Sequence, residues 1–216
     1  MTVHVPDGFL APHLTLPAYA AAAPLWAIAA RRTFGARAVD ALPVMGTLAA
    51  LAFVLQTLRI PVPGGTSTHV TGTALLALLH GPLAAFVCEG LVLAVQALFF
   101  GAGGVTTLGV NALAMGLLGP GAGWLCFHAA RRLGAREGPA AFAAAWLATQ
   151  ASALGVVGVL ALQHLLDAQV FPVAPAVVLA ATLVPSLAVT GVVEGAYTLA
   201  ALTLLRRARL DVRGGS

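Results

Sequence analysis

Long apolar runs, broken by Gly-Pro pairs and closed by arginines, constrain this chain more than any other feature in it. Several of them approach the ~20 residues that cross a bilayer core as helix. With 60% hydrophobic and 8% charged residues among 216, the chain has too little charge to coat a soluble domain of its size. It reads as an all-α integral membrane protein. All eleven basic residues are arginine. They stand at the ends of apolar runs and form no basic stripe interleaved with aromatics, which argues against nucleic acid as a partner.

The periodicity and the breakers predict seven transmembrane helices over about 14–30, 40–60, 70–80, 83–100, 107–130, 139–164 and 176–205. The third is short, because His80-Gly81-Pro82 stops it. Gly119-Pro120-Gly121 is placed to kink the fifth. Arg31, Arg32 and Arg37 follow the first helix, Arg131, Arg132 and Arg136 the fifth, and Arg206, Arg207, Arg209 and Arg213 the seventh; only Arg59 falls on the other side. Seven spans put all three clusters in the cytoplasm and the amino terminus outside, whereas six would scatter them. The expected organisation is one membrane domain, 1–205, with a basic cytoplasmic tail, 206–216. The lipid bilayer is the expected partner. The first dozen residues lack a basic n-region and carry Pro6, Asp7 and Gly8, so no cleavable signal peptide is expected there.

Chemistry-bearing residues are sparse. The sequence has no HExxH, GxSxG or GxxxxGK[ST] motif, so neither an enzyme nor a self-contained ATPase is expected and no catalytic cofactor is called for. Cys88 and Cys126 lie in apolar runs without CxxC spacing and read as small hydrophobes. Glu89 and Glu194 lie within membrane helices, where a charge costs about 2.5–3.5 kcal/mol on insertion scales. They read either as a proton relay or ion site, or as hydrogen-bonded structural groups facing other helices. Four of the six histidines sit where caps and interfaces use them: His13, His80, His128 and His164. His4 and His69 differ, since both fall in polar, Gly/Pro-rich segments on the same predicted side. Imidazoles there can grip a transition metal. The alanines at 20–23 and 141–145 give two helices small-residue faces, suited to close packing or to docking a partner membrane protein.

The segments MTVHVPDGFL, PVPGGTSTHVTG, LLHGPLAAFV, QALFFGAGG, TTLGVNALAMG and GVVEG resemble, in order, the CbiM/NikM-type substrate-binding (S) components of energy-coupling-factor cobalt and nickel transporters. The resemblance covers residue 4 to about 205. It implies seven helices in the inner cell membrane of a prokaryote and capture of Co(II) or Ni(II) outside the membrane as transported substrate. It further implies work alongside a transmembrane coupling (T) protein, two ABC-type ATPase subunits and a small accessory membrane subunit. The metal ligands it implies are the terminal amine, the amide nitrogen and ring of the first histidine, and the histidine of the GGTSxH loop. The histidines map to His4 and His69, with Val3 adjoining. Asp7 and Gly8 are expected to shape the terminal segment, Thr66 and Ser67 to brace His69, and Asn111 to bond either a histidine ring or a neighbouring helix.

Three departures stand out. Relatives begin Met-His, whereas this chain reads Met1-Thr2-Val3-His4. A start at position 3 restores the family pattern, trimming of Met1 gives Thr2-Val3-His4 with four chelating nitrogens, and retention of Met1 gives a poorer chelate. Ala102 stands where the family's GxGG loop carries an acid, and a histidine common before GxxEG is missing. The alternative from another class is a self-sufficient ion-coupled secondary transporter or channel for divalent metal that uses Glu89 and Glu194.

Overall fold

The computed structural model describes residues 4–35, 41–62 and 66–208, apart from the side chains of Val62 and Thr66. Met1, Thr2, Val3, Arg37, Arg209, Arg213 and the loop tip 63–65 lie outside it. The regular structure of the described chain is helical except for one small hairpin: α1 Pro12–Thr33, α2 Leu42–Thr57, α3 Thr73–His80, α4 Pro82–Phe100, α5 Leu108–Arg132, α6 Glu137–Leu166 and α7 Pro175–Arg207. These fall on the seven predicted segments. Four of them, α4 to α7, are long and apolar enough to cross a membrane. The α1 helix has the length, 22 residues, but not their apolarity, and α2 is apolar but has only 16 residues.

The third element is short, as expected, and begins three residues later than the sequence suggests. Helix α3 has eight residues, a length of about 12 Å against the ~30 Å of a hydrocarbon core, so it is no complete crossing. Residues 70–72, expected at its start, are extended or turning instead. Gly72 has φ 72°, a left-handed conformation that a helix cannot pass through and that residues other than glycine rarely take. Upstream, α2 ends at Thr57 and the chain becomes strand β1, Ile60–Val62, antiparallel to β2, Thr66–Thr68, with Ile60 opposite Thr68. At the far end of α3, Gly81 (φ 88°) reverses the chain and Pro82 opens α4, where its missing N–H is harmless.

Helices α5 and α6 pack through small residues. A Cβ on Gly123 would lie 2.7 Å from the Ala144 carbonyl oxygen, and one on Gly119 would overlap the Ser152 hydroxyl. Ala141, Ala144 and Ala145 are fully buried, so the α6 alanine face is used inside the molecule. On α1, Ala22 is buried while Ala20, Ala21 and Ala23 remain exposed. Helix α7 widens to a π-helical stretch at Ser186–Thr190, just after Pro185, which has no N–H for the α-helical ladder. Side chains of α6 compensate: Gln150 and Trp146 donate to the Ser186 and Leu187 carbonyls at 3.2 Å each. A second π-helical stretch, Ala112–Leu118, follows Asn111 in α5.

The molecule has two chemically distinct ends. Near the start of α6, Glu137 pairs with Arg206 at 2.8 Å. Near its far end, 26 residues on, Gln163 Oε1 accepts the Ala11 N–H at 2.8 Å. A helix of 30 residues runs about 45 Å, so the arginine-rich termini of α5 and α7 lie far from the amino-terminal segment. Cys88 and Cys126 are free thiols, the first buried and the second half-buried.

Candidate metal-binding centre

The amino-terminal segment 4–11 is non-helical and partly buried, so its main chain must find partners in the helices around it. Asn111 treats Val5 as a strand would: Oδ1 accepts the Val5 N–H at 2.9 Å and Nδ2 donates to the Val5 carbonyl at 3.0 Å. The Thr107 hydroxyl donates to that same carbonyl at 2.6 Å. Val5 itself is 1% exposed and packs into the main apolar core. Among the described residues the bonds of Asn111 go to this segment's backbone and, at 3.4 Å, to the Thr107 hydroxyl.

Two residues further on, the Asp7 carboxylate accepts the Val105 N–H at 3.1 Å, the Thr106 N–H at 2.8 Å and the Thr106 hydroxyl. Slight burial pushes its carboxyl up, but these donors outweigh it and hold the carboxyl below its ordinary range. A Cβ on Gly104 would collide with Asp7, so glycine is what lets the 101–107 loop close on the segment. Gly8, with φ 84°, then turns the chain toward α1.

His69 arrives from the other side, directly after strand β2. The hairpin is pinned to α7 by a 2.5 Å hydrogen bond between the Thr68 and Thr190 hydroxyls. Beyond His69 the chain is non-helical as far as Gly72, and two polar groups from the bundle receive its main chain. Glu194 Oε2 accepts the Thr71 N–H at 2.7 Å; Oε1 accepts the Gly72 N–H at 2.8 Å and the Thr71 hydroxyl at 3.2 Å. Gln56 Nε2 donates to the Thr71 carbonyl at 3.2 Å and to both Glu89 oxygens, at 2.9 and 3.1 Å. Glu89, Glu194, Gln56 and Thr71 are all buried.

The His4 and His69 rings meet with centroids 4.7 Å apart and planes at 41°. Both are buried, His4 at 5% and His69 at 2% exposure. Neither His69 ring nitrogen has a hydrogen-bond partner among the described residues. Burial pushes the His69 ring down to about 4; the Val70 main chain opposes this and nearby Arg59 adds to it. The His4 ring is held well below its ordinary value by burial first, then by His69 and Arg59. Two neutral imidazoles side by side can both offer lone pairs, which is the state metal binding requires. Among the described residues no group of three or more His, Cys, Asp or Glu side chains could hold a metal, so further donors from this chain would be other side chains or main chain. Ser67 makes no hydrogen bond to the His69 ring. Val3 and the Thr66 side chain lie outside the described residues.

The remaining histidines are spread out. His128 and His164 bond the Trp124 and Phe171 carbonyls through Nδ1, at 2.8 and 3.0 Å, and His13 is exposed. His80 closes α3 at the turn into α4. The sequence reading missed Gln56, Thr107 and Gln163, each a single polar residue whose partner is a backbone segment remote in sequence.

A family model for the cobalt uptake substrate-specific transmembrane region, CbiM, matches residues 4–212. A cobalt transport protein CbiM of Geobacter sulfurreducens is 36% identical over 97% of this chain and 61% of its own length. A fused nickel transport protein NikMN of Rhodobacter capsulatus is 38% identical over 55% of this chain and 34% of its own. A putative metal transport protein of Haloquadratum walsbyi is 33% identical over 97% and 93%. This chain thus spans about three fifths or less of the first two relatives. A crystal structure of a truncated transition metal transporter superposes with TM-score 0.89 at 31% identity, covering 95% of this chain and 99% of that one. A second transition metal transporter structure also gives 0.89, at 30% identity.

Proposed function

The chain belongs to the CbiM family of cobalt uptake substrate-specific transmembrane regions, and on that premise we propose that it is the metal-capturing membrane subunit of an ATP-driven uptake transporter for Co(II) or Ni(II). The relatives named for cobalt and nickel transport support the substrate class. The observation that carries the reading is the pair of buried, neutral imidazoles 4.7 Å apart at the end of the bundle remote from the Arg206–Glu137 pair. His4 and His69 supply ring nitrogens, and main-chain nitrogens at Val3 and His4 complete a planar donor set that suits Ni(II). Capture releases protons, so affinity falls in acid. Asp7, Asn111, Thr66 and Ser67 are the supporting residues of this site.

In this reading seven segments traverse the bilayer, the third as the non-helical 70–72 stretch followed by α3. Non-helical backbone is tolerated at that depth only when protein receives its polar groups. The arginine ends face the cytoplasm and the histidine pair faces out. Movement of the cargo falls to a coupling protein and two ATPases, with a small accessory membrane subunit. The exposed alanines of α1 are the candidate docking face for them.

Flux into proteoliposomes tests this. The chain alone should bind Ni(II) without net uptake, and uptake should appear when coupling protein, ATPases and ATP are added. Uptake by the chain alone, driven by a proton gradient, would replace this reading with a secondary transporter.

A further inference from the structure

Glu89 and Glu194 are buried acids that the capture chemistry leaves without a role. Their partners give them one. Among the described residues the Glu194 carboxylate accepts hydrogen bonds from Thr71 and Gly72 alone, and Glu89 is bound by the same Gln56 amide that donates to Thr71. Thus both faces of one short stretch, two to three residues beyond His69, are gripped: its N–H groups by Glu194 on α7, its carbonyl by Gln56 on α2, which Glu89 on α4 holds in turn.

We propose that Glu194 is a positioning residue for His69, holding the 69–72 backbone so that the imidazole stands at its register beside His4, with Gln56 and Glu89 as the counter-clamp. The inference rests on the reading of His69 as a metal ligand. Three features make the clamp specific to position. The carboxylate is bidentate, so it fixes the direction of two successive N–H groups rather than one. Gly72 is left-handed, a conformation reserved largely for glycine, so the chain turns into α3 directly after the two clamped N–H groups. Upstream, the Thr68–Thr190 bond ties the other flank of His69 to the same helix, four residues before Glu194. The ligand is therefore suspended between two anchors on one turn of α7. A glutamine at 194 would keep the shape but offer one acceptor where two parallel donors need two.

The test uses the purified full chain in detergent, titrated with Ni(II) by calorimetry and by its visible absorption band. Wild type, Glu194→Gln, Gln56→Met, His69→Ala and the double variant Glu194→Gln/His69→Ala are compared, each checked for a cooperative thermal transition. Glu194→Gln should weaken Ni(II) binding about tenfold or more and move the absorption band toward that of His69→Ala. In the His69→Ala background the same substitution should change affinity by less than about twofold, because the ligand it positions is gone. Gln56→Met should act in the same direction and keeps the idea testable if Glu194→Gln fails to fold. Wild-type affinity and spectrum in a folded Glu194→Gln, or in Gln56→Met if the first is lost, would overturn the positioning role. So would a Glu194 effect of equal size with and without His69. If His69→Ala itself binds Ni(II) as wild type does, the metal-site reading fails first and the positioning role falls with it. Loss in His69→Ala beside an unaffected Glu194→Gln rejects the positioning role alone.

Discussion

The segment carrying His4 is fastened by neutral groups, Asn111 and Thr107 on Val5 and Gln163 on Ala11, with a carboxylate only at its exposed Asp7. The segment carrying His69 is fastened deep in the bundle by the Glu194 carboxylate and by a glutamine that is itself held by Glu89. Both arrangements solve one problem, which is how to bring irregular backbone into a packed helical protein without orphaned N–H and C=O groups. They differ in strength. The Glu194 carboxyl holds two successive N–H groups and the Thr71 hydroxyl at once, so removing it strands more buried donors than removing Asn111 does. The His69 side should behave as the rigid half of the centre and the His4 side as the half that yields.

The largest effect expected from this contrast is on folding. Glu194→Leu strands the Thr71 and Gly72 N–H groups in a buried site, at about 1–3 kcal/mol each, and should lower the thermal transition well beyond Asn111→Leu. Equal shifts would dissolve the contrast. Asn111→Ala, read by Ni(II) calorimetry, comes next: loss of both Val5 bonds should loosen His4 and weaken binding about tenfold while the protein stays folded.

Acid provides a third probe. The His69 ring titrates near 4 in the folded chain against an ordinary 6.5, so the unfolded state binds more protons between those values. Stability is therefore full above about pH 6.5 and falls as pH drops toward 4. Thermal melts across that window should show the slope, and His69→Gln should flatten it. The smallest effect concerns Arg59, an exposed cation that lowers both histidines. Arg59→Gln should raise Ni(II) affinity by roughly two- to fivefold at low ionic strength, and salt should erase the difference.

Much of this was legible in the sequence, and the gaps have physical causes. Apolar length and Gly/Pro breaks located the helical segments, because bilayer thickness and backbone sterics act locally. The short α3 was visible at its end, where Gly81-Pro82 is explicit, but not at its beginning. Val70 and Thr71 are ordinary membrane residues, and only the left-handed Gly72 and its partners keep them out of the helix. His4 and His69 were singled out by side and segment, and their rings do meet. Asn111 was assigned to rings or helices because a side chain that reads the backbone of a remote segment leaves no local pattern. The role of Glu194 was hidden for the same reason: its partners are 122 and 123 positions away.

The claim that His4 and His69 together hold the cargo is met most directly by isothermal titration of purified wild type, His4→Ala and His69→Ala with Ni(II) and Co(II). Each single substitution removes a ring nitrogen and should weaken binding by more than about a hundredfold, beyond the loss typical of an outer-shell change. Wild-type affinity in both variants would contradict it.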